Sequence, residues 1–165
     1  MREIPLTQGK VALVDDDDYE RVMQFKWYVF KTGNRWYAGS NSPGLPMRIL
    51  LHRFILGLKP NDPEVDHVNG NGLDCRKSNL RFATRSQNMA NRLKPNGSYS
   101  SIYKGVTWNK TKQKWQAQIR ADYKHISLGY FPLEQEENAA RAYDKGAIKY
   151  FGEFAKTNFP VEDYG

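Results

Sequence analysis

The stretch Val65-Asp66-His67-Val68-Asn69-Gly70-Asn71-Gly72-Leu73-Asp74, with Ser78-Asn79-Leu80-Arg81 and Gln87-Asn88 after it, restricts this chain most. A short apolar run ends in Asp-His and gives way to a loop rich in Asn and Gly, residues that tolerate positive φ. A second short run follows, Leu80-Arg81-Phe82-Ala83. Thr84-Arg85-Ser86-Gln87 then fits a capping box, in which the Thr hydroxyl and the Gln side chain satisfy each other's backbone donors at a helix start. The pattern predicts strand, long loop, strand, helix. His67 ends the first strand, Asn79 starts the second, and Asn88 sits in the first turn of the helix.

That placement suits hydrolysis of a phosphodiester, which needs a base for water and a divalent cation for the charge on phosphate and leaving oxygen. A hard cation such as Mg²⁺ takes oxygen ligands, keeps several waters, and needs only one or two protein groups beside the phosphate. Asp66 and Asn88 supply such oxygens. An imidazole of ordinary pKa near ~6.5 is largely neutral at working pH, so His67 is the candidate base, with Asn79 fixing its tautomer. Taken singly, an Asp-His is a surface pair and Asn-Gly-Asn-Gly a turn. Together, in a basic chain, the set favours catalysis.

Asp66-His67, Asn79 and Asn88 at this spacing resemble the His-Asn-His (HNH) homing endonucleases of the phage and intron type, whose third position is Asn. The resemblance runs from about Leu51-His52-Arg53 through Asn91-Arg92 and includes Gly57, Asp74, Arg76 and Asn79-Leu80-Arg81. It implies a ββα-metal module with His67 as general base, Asn79 orienting it, and Asp66 and Asn88 holding one metal ion. Cys75 departs from the family, which more often has Asn there; a loop neighbour is expected.

A length of 165 residues allows one ordinary domain or two small ones. The net charge of +7 points to a polyanionic partner. The excess is local: residues 48–97 carry nine basic against four acidic side chains, and residues 98–131 six against one. The single cysteine excludes a disulfide within the chain and any Cys-pair zinc site. A reducing cytoplasm is the expected setting, the host's if the gene is a phage's. No run approaches a membrane span and Met1-Arg2-Glu3-Ile4-Pro5 begins no signal-peptide core, so neither a membrane nor a protein partner is indicated.

Residues 1–47 read as a small β-rich segment. Lys10–Val14 belongs to one hairpin; Lys26–Phe30 and Arg35–Gly39 flank a Thr32-Gly33-Asn34 turn in another. The run Asp15–Asp18 is either a metal site or, as Asp17 and Glu20 favour, a helix start. Trp27, Trp36 and Tyr37 are a DNA-stacking platform or, as strand aromatics usually are, core. Pro43-Gly44-Leu45-Pro46 is a break before the apolar run Met47–Leu56, in which His52 is a weak candidate for the site.

Lys94-Pro95-Asn96-Gly97-Ser98 stops the expected catalytic helix and opens a linker. Three strands and a helix follow. Trp115, Ala117 and Ile119 alternate with Gln116, Gln118 and Arg120; Ile126, Leu128 and Tyr130 oppose His125 and Ser127. Ala140, Tyr143, Ala147 and Tyr150 then repeat at helical spacing. The free sheet face is either a reader of base edges and phosphates or a solvated polar face. Tyr103-Lys104-Gly105-Val106, Trp115–Ile119, Leu128-Gly129-Tyr130-Phe131, Ala139–Asp144 and Asn158-Phe159-Pro160 resemble the Apetala-two/ethylene-response-factor DNA-binding domain. That likeness implies DNA contacts at Lys104, Thr107, Asn109, Gln116, Gln118, Arg120, His125 and Ser127. Of the plant family's contact chemistry only Arg120 is kept outright, and Lys104 replaces an Arg, which weakens bidentate guanine reading.

The expected class is α+β: a ββα-metal HNH nuclease module preceded by a small β-rich segment and followed by a three-stranded antiparallel sheet packed on one helix. The expected boundaries are 1–47, 48–95, a linker at 96–102, and 103–162. The expected function is Mg²⁺-dependent, or other divalent-cation-dependent, hydrolysis of double-stranded DNA by a homing-type nuclease of a phage or mobile element. The alternative is a catalytically inactive DNA-binding regulator of the Apetala-two type.

Overall fold

The computed structural model describes residues 1–45, 48–95 and 97–165. Pro46 and Met47 of the first expected break and Asn96 of the linker lie outside the described residues. The class is α+β, with small antiparallel sheets, and the chain forms two compact units, Met1–Thr84 and Arg85–Gly165.

In the first unit, alternation builds a hairpin of β1 (Arg2–Pro5) and β2 (Val11–Val14), which buries Ile4, Ala12 and Val14. The acidic run opens α1 (Asp16–Met23). Asp15 makes no side-chain cap there; its Oδ2 accepts the Lys77 backbone N–H at 2.7 Å. Buried Asp18 pairs with Arg21 at 2.6 Å and Lys77 at 2.8 Å. The run is therefore a helix start that also clamps the 3-10 turn Lys77–Asn79.

Trp27 is core, and its indole N–H donates to the Val22 carbonyl at 2.9 Å. The next sheet has the order β3 (Tyr28–Thr32), β4 (Arg35–Ser40), β5 (Ile49–Leu50). The described part of the apolar run before Leu56 bends from β5 straight into α2 (Leu51–Ile55), which buries Leu51, His52 and Ile55. Full burial of a residue such as Leu51 stabilises by about 1.5–3 kcal/mol. β6 (Glu64–His67) and β7 (Leu80–Ala83) pair so that Asp66 opposes Arg81 and His67 opposes Leu80. The loop between them is tied to β2: Leu13 N–H donates to the Leu73 carbonyl and Cys75 N–H to the Leu13 carbonyl, both at 2.8 Å. Cys75 is fully buried in this core.

The second unit begins with α3 (Arg85–Ala90). Its sheet has the order β10 (Lys124–Phe131), β9 (Lys114–Ala121), β8 (Val106–Asn109), and α4 (Glu136–Phe151) covers one face. Trp115, Ala117 and Ile119 face Ala139, Ala140, Tyr143 and Ala147, as the alternation predicts. One residue departs. The register shifts between Ser127 and Gly129, a β-bulge at Leu128, so Tyr130 pairs with Gln116 and stands on the outer face. Leu128 and Phe131 take the inward positions. A bulge reverses strand parity, and alternation alone cannot show it.

Gly105, at φ +75°, sits where a Cβ would lie 1.9 Å from the Tyr143 ring; this approach requires glycine. The tail is held by Asp144, fully buried, whose carboxylate accepts from Asn158 N–H and Nδ2, Phe159 N–H and the Tyr164 hydroxyl at 2.8–2.9 Å.

Candidate active site and nucleic-acid interface

The β6–β7 register brings Asp66, His67 and Asn79 together in the first unit. Asp66 has no exposed surface, and Arg81 Nε and Nη2 both donate to its Oδ2, at 3.0 and 2.9 Å. Arg81 is an addition to the residues expected from the sequence. Its signal was available, because it is the direct cross-strand partner of Asp66 once the loop length fixes the register.

His67 is only 3% exposed. Its ring meets His52 edge-on at 4.9 Å, and Tyr37 lies 6.0 Å from His67 and 6.2 Å from His52. Burial, then the nearby Asp66 (raising) and Arg35 (lowering), leave the His67 pKa down at about 4. Burial, helped by His67 and Arg53, brings His52 down to about 3. Both rings are neutral at neutral pH. His52, weak in the sequence, is thus in direct contact with the candidate base.

Asn79 Nδ2 donates to Asn69 Oδ1 at 3.0 Å and to the Asp74 carbonyl at 2.8 Å; its Oδ1 accepts from Asn69 N–H at 3.0 Å. Its side chain therefore fastens the loop that leaves His67, where the sequence suggested a bond fixing the imidazole tautomer. Asp74 takes a bidentate pair from Arg76, which holds its carboxyl below the usual range, and accepts from Asn69 Nδ2. Gly72 is a close approach: a Cβ there would lie 2.4 Å from the Trp36 carbonyl. Asn88 lies on α3, half-buried, in the second unit.

Within the second unit, Thr107, Asn109, Gln116, Gln118, Arg120, His125 and Ser127 share the outer sheet face: Thr107 pairs with Gln116, Gln118 with Ser127, and Arg120 with His125. Tyr130 joins them, with the Lys112 ammonium 3.8 Å above its ring. Lys104 departs from the set. It precedes β8, and its ammonium donates to the Ala90 carbonyl at the end of α3.

Folding and residue pattern together define an HNH endonuclease: the HNH endonuclease family model matches residues 50–90, and the chain belongs to that family. An uncharacterized HNH endonuclease of Acanthamoeba polyphaga mimivirus is 35% identical over 156 residues, covering 92% of this chain and 76% of the viral protein. An AP2-like ethylene-responsive transcription factor of Arabidopsis thaliana is 35% identical over 105 residues, 59% of this chain and 19% of its own length. An AP2/ERF and B3 domain-containing protein of Oryza sativa subsp. japonica is 49% identical over 61 residues, 37% of this chain and 16% of its own. The chain thus spans under a fifth of these plant proteins. No described helix is long and apolar enough to cross a membrane.

Proposed function

We propose that this nuclease is a divalent-metal-dependent, site-recognising enzyme of the homing type that hydrolyses double-stranded DNA. The observation that carries the catalytic part is a buried, neutral His67 beside a fully buried carboxylate, at the end of β6 where the following loop is tied down by Asn79. His67 takes the proton of the attacking water. Asn79 acts through the loop, holding the backbone on which His67 sits.

The donor set fits a hard cation. Asp66 offers a carboxylate, and Asn88, the second ligand implied by the resemblance, an amide oxygen; Mg²⁺ takes such oxygens and keeps most of its waters. Two protein oxygens plus water is the arrangement proposed. The bound ion would neutralise charge on the phosphate and the leaving oxygen. Arg81, donating twice to Asp66 Oδ2, holds this buried carboxylate in place.

The plant relatives support reading residues 103–162, within the second unit, as an Apetala-two-type DNA-binding domain. Its outer face would make the base and phosphate contacts, with Tyr130 added and Lys104 assigned to holding α3. The plant family's target sequence does not carry over, because the face has Gln, Thr and Ser where that family has Arg and Trp. Plasmid nicking with Mg²⁺ and with chelator, on wild type and His67→Ala, tests the catalytic reading. Undiminished nicking by the variant would refute His67 as the base, and a wild type that does not nick with Mg²⁺ would favour the alternative, a catalytically inactive DNA-binding regulator.

A further inference from the structure

In the second unit, β8 pairs only with residues 114–117 of β9, whereas β9 and β10 continue together to Ala121 and Lys124. Gln118 N–H still donates to the Gly105 carbonyl at 2.9 Å. Beyond it, no strand among the described residues flanks β9 on that side. α3 lies across from this open edge, and Lys104 fastens the end of the helix by its bond to the Ala90 carbonyl. A groove of about 650 Å³ lies between them.

Its chemistry is one-sided. Ile119, Tyr143, Phe151 and Met89 supply apolar surface, and Arg85, Arg120 and His125 bring basic side chains; among the described residues none that lines it is acidic. Arg85, Arg120 and His125 are exposed to solvent. At the mouth, Tyr123 is 81% exposed. The two-residue turn Asp122–Tyr123, with φ of 47° and 62°, fixes it at the hairpin tip. Cations along a channel with aromatic walls suit one ligand class: a nucleic-acid strand, whose phosphates meet the cations and whose flat bases or sugars meet the rings.

We propose that this groove binds one strand of the DNA substrate, with Arg85 on a phosphate and Tyr123 against a base or sugar. The groove adjoins the outer sheet face, with which it shares Arg120 and His125, and adds Arg85 and Tyr123 to it; it rests on the reading of the second unit as a DNA binder. It makes α3 a wall of the recognition unit, so the same helix that carries Asn88 touches the DNA being read.

The test is fluorescence anisotropy with labelled duplex in chelator, where nothing is cut, on the full chain. Arg85→Glu should lower affinity about fivefold or more at 0.15 M salt and reduce the slope of log K against log salt by about 0.9, the counterion-release value for one phosphate. Arg85→Gln should lower it less and in the same direction. Tyr123→Ala should weaken binding about fivefold or more with the salt slope unchanged, as loss of a stacking contact does. Gln116→Ala reports on the outer face alone. If it weakens binding while the Arg85 and Tyr123 variants bind as wild type, with unchanged circular dichroism, the groove assignment is overturned and the DNA-binding reading stands. If all of the variants bind as wild type, both fall.

Discussion

Acidification should destabilise the first unit through two buried histidines, His67 and His52, before Asp18 and Asp74 are protonated. In the fold, His67 and His52 titrate at about 4 and about 3, well below the ordinary 6.5. In the unfolded chain each takes a proton near 6.5, so the unfolded state binds more protons at mildly acid pH. Stability is then complete above pH 6.5 and is lost as pH falls below it. At pH 5 both folded rings are still neutral, so the result is insensitive to how far each value is depressed. Each histidine lies 1.5 pH units below its unfolded value there, a loss of about 2 kcal/mol at ~1.36 kcal/mol per unit. The pair sums to about 4 kcal/mol, a large share of the 5–15 kcal/mol typical of a domain. Asp18 and Asp74, held low by their basic partners, act in the other range: their stabilisation is present above pH ~4 and lost below it. Urea denaturation at pH 8 and pH 5 in chelator, with hydrogen exchange of the β6–β7 amides assigning the loss to the first unit, measures the effect. His52→Phe keeps a ring against His67 and removes one proton site, so the pH 5 loss should fall to about 2 kcal/mol. A loss under ~1 kcal/mol in wild type, or an undiminished loss in His52→Phe, would refute the burial argument.

Three further outcomes are expected. His67→Ala should lower cleavage by about 10²–10⁴ with DNA affinity nearly unchanged, because a neutral imidazole neutralises no phosphate; single-turnover cleavage and anisotropy read the two quantities. Asp66→Ala should abolish cleavage across all practical Mg²⁺ concentrations and leave Arg81 a buried cation without its carboxylate, at a cost of about 3–5 kcal/mol in urea melts. Asp144→Ala should cost a similar ~3–5 kcal/mol, since four donors lose a buried acceptor, and should free the tail after Asn158 to protease.

Much of this was legible because period and punctuation agree locally. The Asp-His strand end, the Asn/Gly loop and the β9 alternation each specify themselves within about ten residues, and the structure follows them. What escaped depends on contacts between distant segments. The Arg81–Asp66 pair needs the strand register, and His52 reaches His67 only through the turn from β5 into α2. Asn79 was expected to fix the His67 tautomer, whereas its bonds to Asn69 and Asp74 emerge only when the loop closes on itself. The Leu128 bulge is invisible to alternation, and it moved Tyr130 to the opposite face. The acidic run looked like a helix start and is one, but its second role on Lys77 spans 59 to 62 residues of sequence and leaves no local mark.

The division of the chain at Thr84 and Arg85 bears on how such enzymes can be recombined. The Pro-Gly-rich stretch near residue 96 looks like the natural joint, and a chain cut there would strip α3 of the α4 surface and the Lys104 bond that hold it. An exchange that respects folding units joins the parts ahead of Arg85 instead. An incoming reader would then bring its own helix, and with it its own residue at the position of Asn88. Specificity and the proposed second metal ligand would be inherited as a single package, so a new target preference and a retuned metal requirement should arrive together in a chimera.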